Sequence, residues 1–269
     1  MDHQTLATIK KDIKHYAYHS FHYVDWDELS SYKLMFKSEE GLYVHGFRKD
    51  HQMDELLWAT NDCNHLIKYA LTFKNTLLSF IPKPWQEQLK QAGLIEYGVI
   101  RDYWLHDISR YKNNPQLQCL SLFDAQNISD VTKDCLMVSR EFHGESKDDV
   151  EAWLSGKDYH LQSIQAKDIA IMGYHVDQEL VGVVFVAIYG HQSEKGPILW
   201  LREIAVKRAY QGKGIGRMLL ENAIAYGYHH GAKRSFLAAD DLNRGAIHLY
   251  TSLGYQPHQE DEQIDFITP

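Results

Sequence analysis

The chain has 269 residues, of which 44% are hydrophobic and 24% charged, and its formal net charge is -8. That length leaves room for about two domains, each with its own core. The acidic balance argues against nucleic acid as a main partner, because phosphate binding needs a basic face, but it admits a cationic amine.

In chain order, apolar alternation and turn residues predict a hairpin from 34–37 and 42–47, a central strand at 55–59, a helix at 64–72 and a strand at 76–81. A further helix is expected over 85–94, ending near Gly93. Residues 109–118, with Asn113-Asn114-Pro115, are polar and turn-rich and read as a linker, so the expected domains are 1–112 and 121–269. Helices are then expected at 130–142 and 147–154, followed by strands at 168–174 and 180–189 around an Asp177-Gln178-Glu179 turn. A strand at 198–206, a glycine loop, a helix, a strand at 234–239, a second helix and a last strand at 262–268 complete the chain.

Cys63, Cys119 and Cys135 are odd in number and in no C-x-x-C arrangement, so they read as reduced, packing thiols. Lys10, Lys11 and Lys14 interleave with His and Tyr, and no apolar run is long enough to span a membrane, so a soluble cytoplasmic protein with no membrane partner is expected. The 16 histidines lack paired helical spacing, and no metal is expected.

The most informative segment is Ile204-Ala205-Val206 followed by Gln211-Gly212-Lys213-Gly214-Ile215-Gly216-Arg217. Ile215, Met218, Leu219, Ala223 and Tyr226 share one helix face, which places the glycines at a helix start. There the backbone N–H groups lack intrahelical acceptors and carry the positive end of the helix dipole, an arrangement that binds an oxyanion. A nucleotide P-loop fails, because Lys207 holds the first glycine's place and Gly214 the hydroxyl's. A dinucleotide fingerprint fits Gly212 and Gly214 but meets Arg217 where the third glycine belongs; Asp240 could imitate its ribose acid.

The pattern [QR]-x-x-G-x-[GA] after a strand ending in Ile204-Ala205-Val206 resembles the GNAT superfamily of N-acetyltransferases, with Gln211, Gly214 and Gly216 at its defining positions. The run from Asn243 through Ala246 and Tyr250 to Gly254-Tyr255 resembles that superfamily's N-x-x-A-x-x-x-Y-x-x-x-G-[FY] helix. The resemblance implies an α/β (α+β) fold with a mixed, mostly antiparallel sheet flanked by helices. Residues 121–269 would be its catalytic copy, and 1–112 a degenerate copy with Asn61-Asp62-Cys63-Asn64 in place of the phosphate loop; an unrelated α+β domain is the alternative. It also implies acetyl-CoA as co-substrate, an amine acceptor, and cofactor contacts from Ile204, Ala205, Val206, Gln211, Gly212, Lys213, Gly214, Ile215, Gly216, Arg217 and Asn243.

By the same resemblance, strand 198–206 splays from its neighbour, the Val206 amide polarises the thioester carbonyl, and Tyr250 is the general acid. Glu203, Asp240 and Asp241 remain open as bases, and simple strand alternation sets Glu203 on the face opposite Trp200 and Arg202. The expected activity is acetyl transfer to a primary amine, preferably of a small molecule, in a monomer or homodimer. Two alternatives stay open: acetylation of a protein N-terminus or lysine, and a non-catalytic acyl-CoA sensor.

Overall fold

A computed structural model describes residues 1–22, 24–49, 51–113, 115–135, 142–161 and 164–269, with the side chains of 259–261 excepted. The chain divides into two compact units, Met1–Ile100 with Glu262–Pro269, and Arg101–Asp261. This differs from the expected 1–112 and 121–269. The first division falls inside a strand, where the chain passes between units without a turn, and the 109–118 stretch belongs to the second unit and holds the 3-10 turn Ser109–Tyr111.

The first unit contains α1 (His3–Asp12), β1 (Tyr18–His19), β2 (Lys33–Lys37), β3 (Gly41–Arg48), β4 (Met53–Thr60), α2 (Cys63–Ala70), β5 (Thr76–Leu78), α3 (Gln86–Gln91) and the start of β6 (Ile95–Leu105). Antiparallel β2, β3 and β4 are followed by β5, which runs parallel to β4 through Asp54↔Thr76 and Glu55↔Leu77. The terminal residues return antiparallel to β5, pairing Phe266 with Leu78. Leu56, Trp58, Leu66, Leu78, Leu89 and Phe266 form one core of this unit, and Ile9, Leu29, Leu42, Val44 and Leu57 another.

The second unit continues with the rest of β6, β7 (Gln118–Cys119), α4 (Ala125–Asp134), α5 (Lys147–Leu154), β8 (Ile169–Val176), β9 (Glu179–Tyr189), β10 (Ile198–Val206), α6 (Ile215–His229), β11 (Arg234–Asp240), α7 (Arg244–Ser252) and the start of β12 (Gln256–Ile267). Its strands run in the order β6-β11-β10-β9-β8-β7. β8 and β9 meet at Asp177 and Gln178, both at positive φ (48° and 71°), as a tight hairpin turn with right-handed strand twist requires. The first expected helix begins earlier than 130, at Ala125, and residues 136–141 of that expectation lie outside the described residues.

β9 is a continuous β-branched and apolar run because helices cover both of its faces. On one face Val184, Val186, Leu199 and Leu201 pack with Leu219, Leu220 and Ile224 of α6; on the other, Val183, Phe185 and Ala187 pack with Ile128, Val131, Val150 and Trp153 of α4 and α5. α6 approaches β10 so closely that a Cβ on Gly227 would lie 2.8 Å from Leu199 Cδ2. Each unit contains a hairpin, a central strand, a helix and a strand parallel to the central one. Gly93 (φ 94°) and Gly254 (φ 90°) terminate α3 and α7.

Candidate active site

The site is built where β10 and β11 part. They pair in parallel through Ile198↔Arg234, Leu199↔Ser235 and Trp200↔Phe236, and among the described residues no further pair continues the ladder. β10 itself runs on to Val206, paired on its other side with Gly182 of β9. Past Trp200, the inner edge of Ile204, Ala205 and Val206 is therefore open, in line with the expected splay.

The same stretch carries a bulge. The register moves from Leu201↔Val186 to Glu203↔Phe185, so Arg202 is the extra residue. Cross-strand partners share a face, so Glu203 lies with Phe185 on the face where Trp200 lies with Ala187. This corrects the placement of Glu203 opposite Trp200 and Arg202, since alternation does not survive an inserted residue.

The Arg202 guanidinium stacks over Trp153 at 4.9 Å and pairs with Glu145 at 2.9 Å. Burial pushes the Glu145 carboxyl up despite that partner, and Arg202 remains charged between Glu145 and Glu203. The carboxyl of half-buried Glu203 is pushed by burial up to about 8.

At the end of β10 the glycine loop is open. Gly212 (φ 73°) and Gly214 (φ 81°) are in the left-handed region, and a Cβ built on either meets nothing within 4 Å. Gly214 is the N-cap of α6 and brings no side-chain cap, so the first-turn amides of Ile215, Gly216 and Arg217 face a space without a protein acceptor from that residue. The donor set and the open space fit a phosphate or pyrophosphate.

Gln211 Nε2 donates to Val206 O at 2.9 Å. The Cys135 thiol donates to the same oxygen at 3.0 Å, and together they hold the strand end against the loop. Lys213 Nζ sits 4.9 Å from the Tyr210 ring, and Arg217 donates to Ser252 Oγ at 2.6 Å.

Asn243 caps α7, its side chain accepting from the Ala246 amide at 3.2 Å. α7 thereby aims Tyr250 inward, where it is 6% exposed, with its ring near Tyr103 and Tyr255. Burial holds the Tyr250 phenol well above its ordinary range, with the nearby Glu203 charge adding to the effect. No side chain among the described residues hydrogen-bonds its hydroxyl. Tyr255, by contrast, donates to Ser235 Oγ at 2.8 Å and is core. Asp240 is buried and accepts from the Leu242 amide at 2.9 Å. Sequence reasoning missed Tyr103 and the Arg202–Glu145 pair; an Arg-Glu doublet inside an apolar strand was the available signal for the pair.

A family model described as "Acetyltransferase (GNAT) family" matches residues 135–255, from the end of α4 to the residue after Gly254. Residues 135–255 are thus similar to the GNAT acetyltransferase family. The chain is 30% identical over 98 residues to a spermine/spermidine N(1)-acetyltransferase of Bacillus subtilis, covering 35% of this chain and 62% of that protein. It is 32% identical over 74 residues to a thialysine N-epsilon-acetyltransferase of Bos taurus, covering 28% of this chain and 44% of that protein. The chain thus spans less than two thirds of either relative. Across the whole length, the fold is similar to a GNAT-family acetyltransferase from Colwellia psychrerythraea, with TM-score 0.59 and 11% identity over 99% of this chain and 97% of that one. No described helix is long and apolar enough to cross a membrane, and the described residues hold no cluster of three or more His, Cys, Asp or Glu able to hold a metal.

Proposed function

We propose that this chain transfers an acetyl group from acetyl-CoA directly to a primary amine of a small molecule. The observation that carries this reading is the open glycine loop of Gly212 and Gly214 at the end of a splayed β10, with Glu203 and Tyr250 within electrostatic reach of each other. First-turn amides of α6 would receive the pyrophosphate, and the free edge of Ile204 to Val206 would pair with the amide-bearing arm of the cofactor. Asn243, as a cap, acts by fixing α7 and so Tyr250.

In the transfer, the amine nitrogen attacks the thioester carbonyl, a C–N bond forms and the C–S bond breaks. Glu203, directly or through water, takes the proton lost by the amine. The Val206 amide stabilises the oxyanion, and Tyr250 protonates the departing thiolate. A phenol held above its ordinary range stays protonated at neutral pH, as that role demands. The two relatives named above both carry amine acetyltransferase names, which supports the reaction class rather than a particular acceptor.

We further propose that the first unit is a worn copy of the same plan that does not hold acetyl-CoA. Where α6 is uncapped, α2 is capped by the Asp62 carboxylate, which accepts from the Asn64 amide at 2.9 Å and would repel a pyrophosphate.

The test is release of free thiol from acetyl-CoA across a panel of small amines and peptides, by wild type and Tyr250→Phe. Turnover with small amines that collapses in the variant supports the reading. Acetyl-CoA binding without turnover on any acceptor would replace it with the sensor alternative, and turnover restricted to peptides with the protein acetyltransferase alternative.

A further inference from the structure

One sheet face of the second unit is half-buried rather than buried at β6 and β11. Along β11, Ser235, Leu237 and Ala239 are buried while Arg234 and Phe236 are half-buried and Ala238 is exposed. Along β6, Tyr103 and Leu105 are buried, Trp104 is half-buried, and His106 beyond the strand is exposed. The buried set packs with α6 and α7; among the described residues, neither of the unit's two cores brings a helix onto the opposite face of β6 and β11.

Aromatic rings tile that face. Trp104 stacks on Phe236 with centroids 5.0 Å apart, and Phe236 stacks on Trp200 at 6.2 Å with an interplanar angle of 9°. Trp153 closes one end edge-on to Trp200 at 5.7 Å. Trp200↔Phe236 is also the last paired rung before β10 and β11 separate, so the tiles end at the mouth of the splay.

Charge at the two ends differs. Glu203 lies on the tiled face two register positions beyond Trp200, about 7 Å along the strand. At the other end the Arg234 guanidinium sits 5.2 Å from the Trp104 ring, and no carboxylate among the described residues pairs with it. An amine nitrogen therefore finds a hydrogen-bonding carboxyl at Glu203, whereas an ammonium further along the tiles meets an uncompensated cation.

We propose that Trp104, Phe236 and Trp200 form the floor of the acceptor site and select a singly charged amine on a flat aromatic body over a polyamine. This rests on the acetyl-transfer reading for its chemistry. A ring bearing a two-carbon aminoalkyl arm lies on the tiles and delivers its nitrogen at Glu203. The acceptor class so defined differs from that in the name of the Bacillus subtilis relative.

Calorimetric titration with CoA present, using phenethylamine, butylamine and spermidine, measures the floor independently of transfer. Phenethylamine is expected to bind at least tenfold more tightly than spermidine. Phe236→Leu and Trp104→Leu should each lower the phenethylamine-to-butylamine affinity ratio roughly fivefold to tenfold, the worth of one lost ring contact. A merely structural loss would lower both affinities together and leave the ratio intact. Spermidine binding as tightly as phenethylamine, an unchanged ratio, or no saturable phenethylamine binding overturns the proposal. Saturable binding of phenethylamine without thiol release overturns the acetyl-transfer reading and leaves the floor standing; faster thiol release with spermidine does the reverse.

Discussion

Gly214→Ala separates the cost of backbone strain from the cost of losing an oxyanion cradle. Gly214 sits at φ 81°, where an L-residue with a Cβ is disfavoured by about 1–2 kcal/mol. Alanine also stiffens the unfolded chain, which returns about 0.4–1 kcal/mol. The net loss of stability should be about 1 kcal/mol, a fall in Tm of roughly 2–4 °C for a chain of this size. The new methyl clashes with no protein atom, since nothing lies within 4 Å of the built Cβ. It does occupy the space through which a phosphate would reach the α6 amides, so the Kd for acetyl-CoA should rise more than tenfold, about 1.4 kcal/mol or above. Gly231 supplies the control: its φ is 90°, nothing lies within 4 Å of its Cβ, and it follows the far end of α6. Gly231→Ala should lower Tm by a similar amount and leave acetyl-CoA affinity intact. Thermal melting paired with calorimetric titration reads both quantities. Equal acetyl-CoA affinity in wild type and Gly214→Ala, or an equal loss in both variants, would refute the cradle.

Four further outcomes follow from the site. Burial lifts Glu203 to about 8, so its base form grows as pH rises through that value; kcat/KM should climb to a plateau above it, and Glu203→Gln should flatten the profile and lower it about a hundredfold. Because the folded pKa is raised, the folded state binds the extra proton, and Glu203's contribution to stability should decline as pH rises from the ordinary carboxylate value of 4.5 through about 8, a slope missing in Glu203→Gln melts. Arg202→Met leaves Glu145, only 13% exposed in its side chain, without its partner at 2.9 Å; urea titration should show a loss of about 3–5 kcal/mol, partly restored by adding Glu145→Gln. Tyr255→Phe removes the buried bond to Ser235 Oγ and should cost about 1 kcal/mol in the same titration while kcat stays at the wild-type value, in contrast to Tyr250→Phe.

Much of this was legible in the sequence for local reasons. β10 and α5 coincide with the expected 198–206 and 147–154, because a β-branched run and a Ser146–Asp149 capping box mark them directly. Asn243, Gly214 and Gly254 likewise declare a cap, a left-handed loop residue and a helix stop. α1 was not anticipated, since only Leu6 and Ile9 mark its buried side among Lys and Thr. β6 was missed because residues 95–105 mix exposed, half-buried and buried positions without clean alternation. The bulge at Arg202 depends on pairing with β9, a non-local fact, and with it went the correct face for Glu203. The assignment of residues 262–269 to the first unit is equally non-local, as it rests on pairing with β5.

The most direct measurement is the mass of a primary amine such as phenethylamine after incubation with acetyl-CoA and the full chain. The expected product is the N-acetylated amine, formed in equal amount to the released CoA and far more slowly with Tyr250→Phe. Acetyl-CoA bound at the glycine loop while every amine tested keeps its original mass would contradict it.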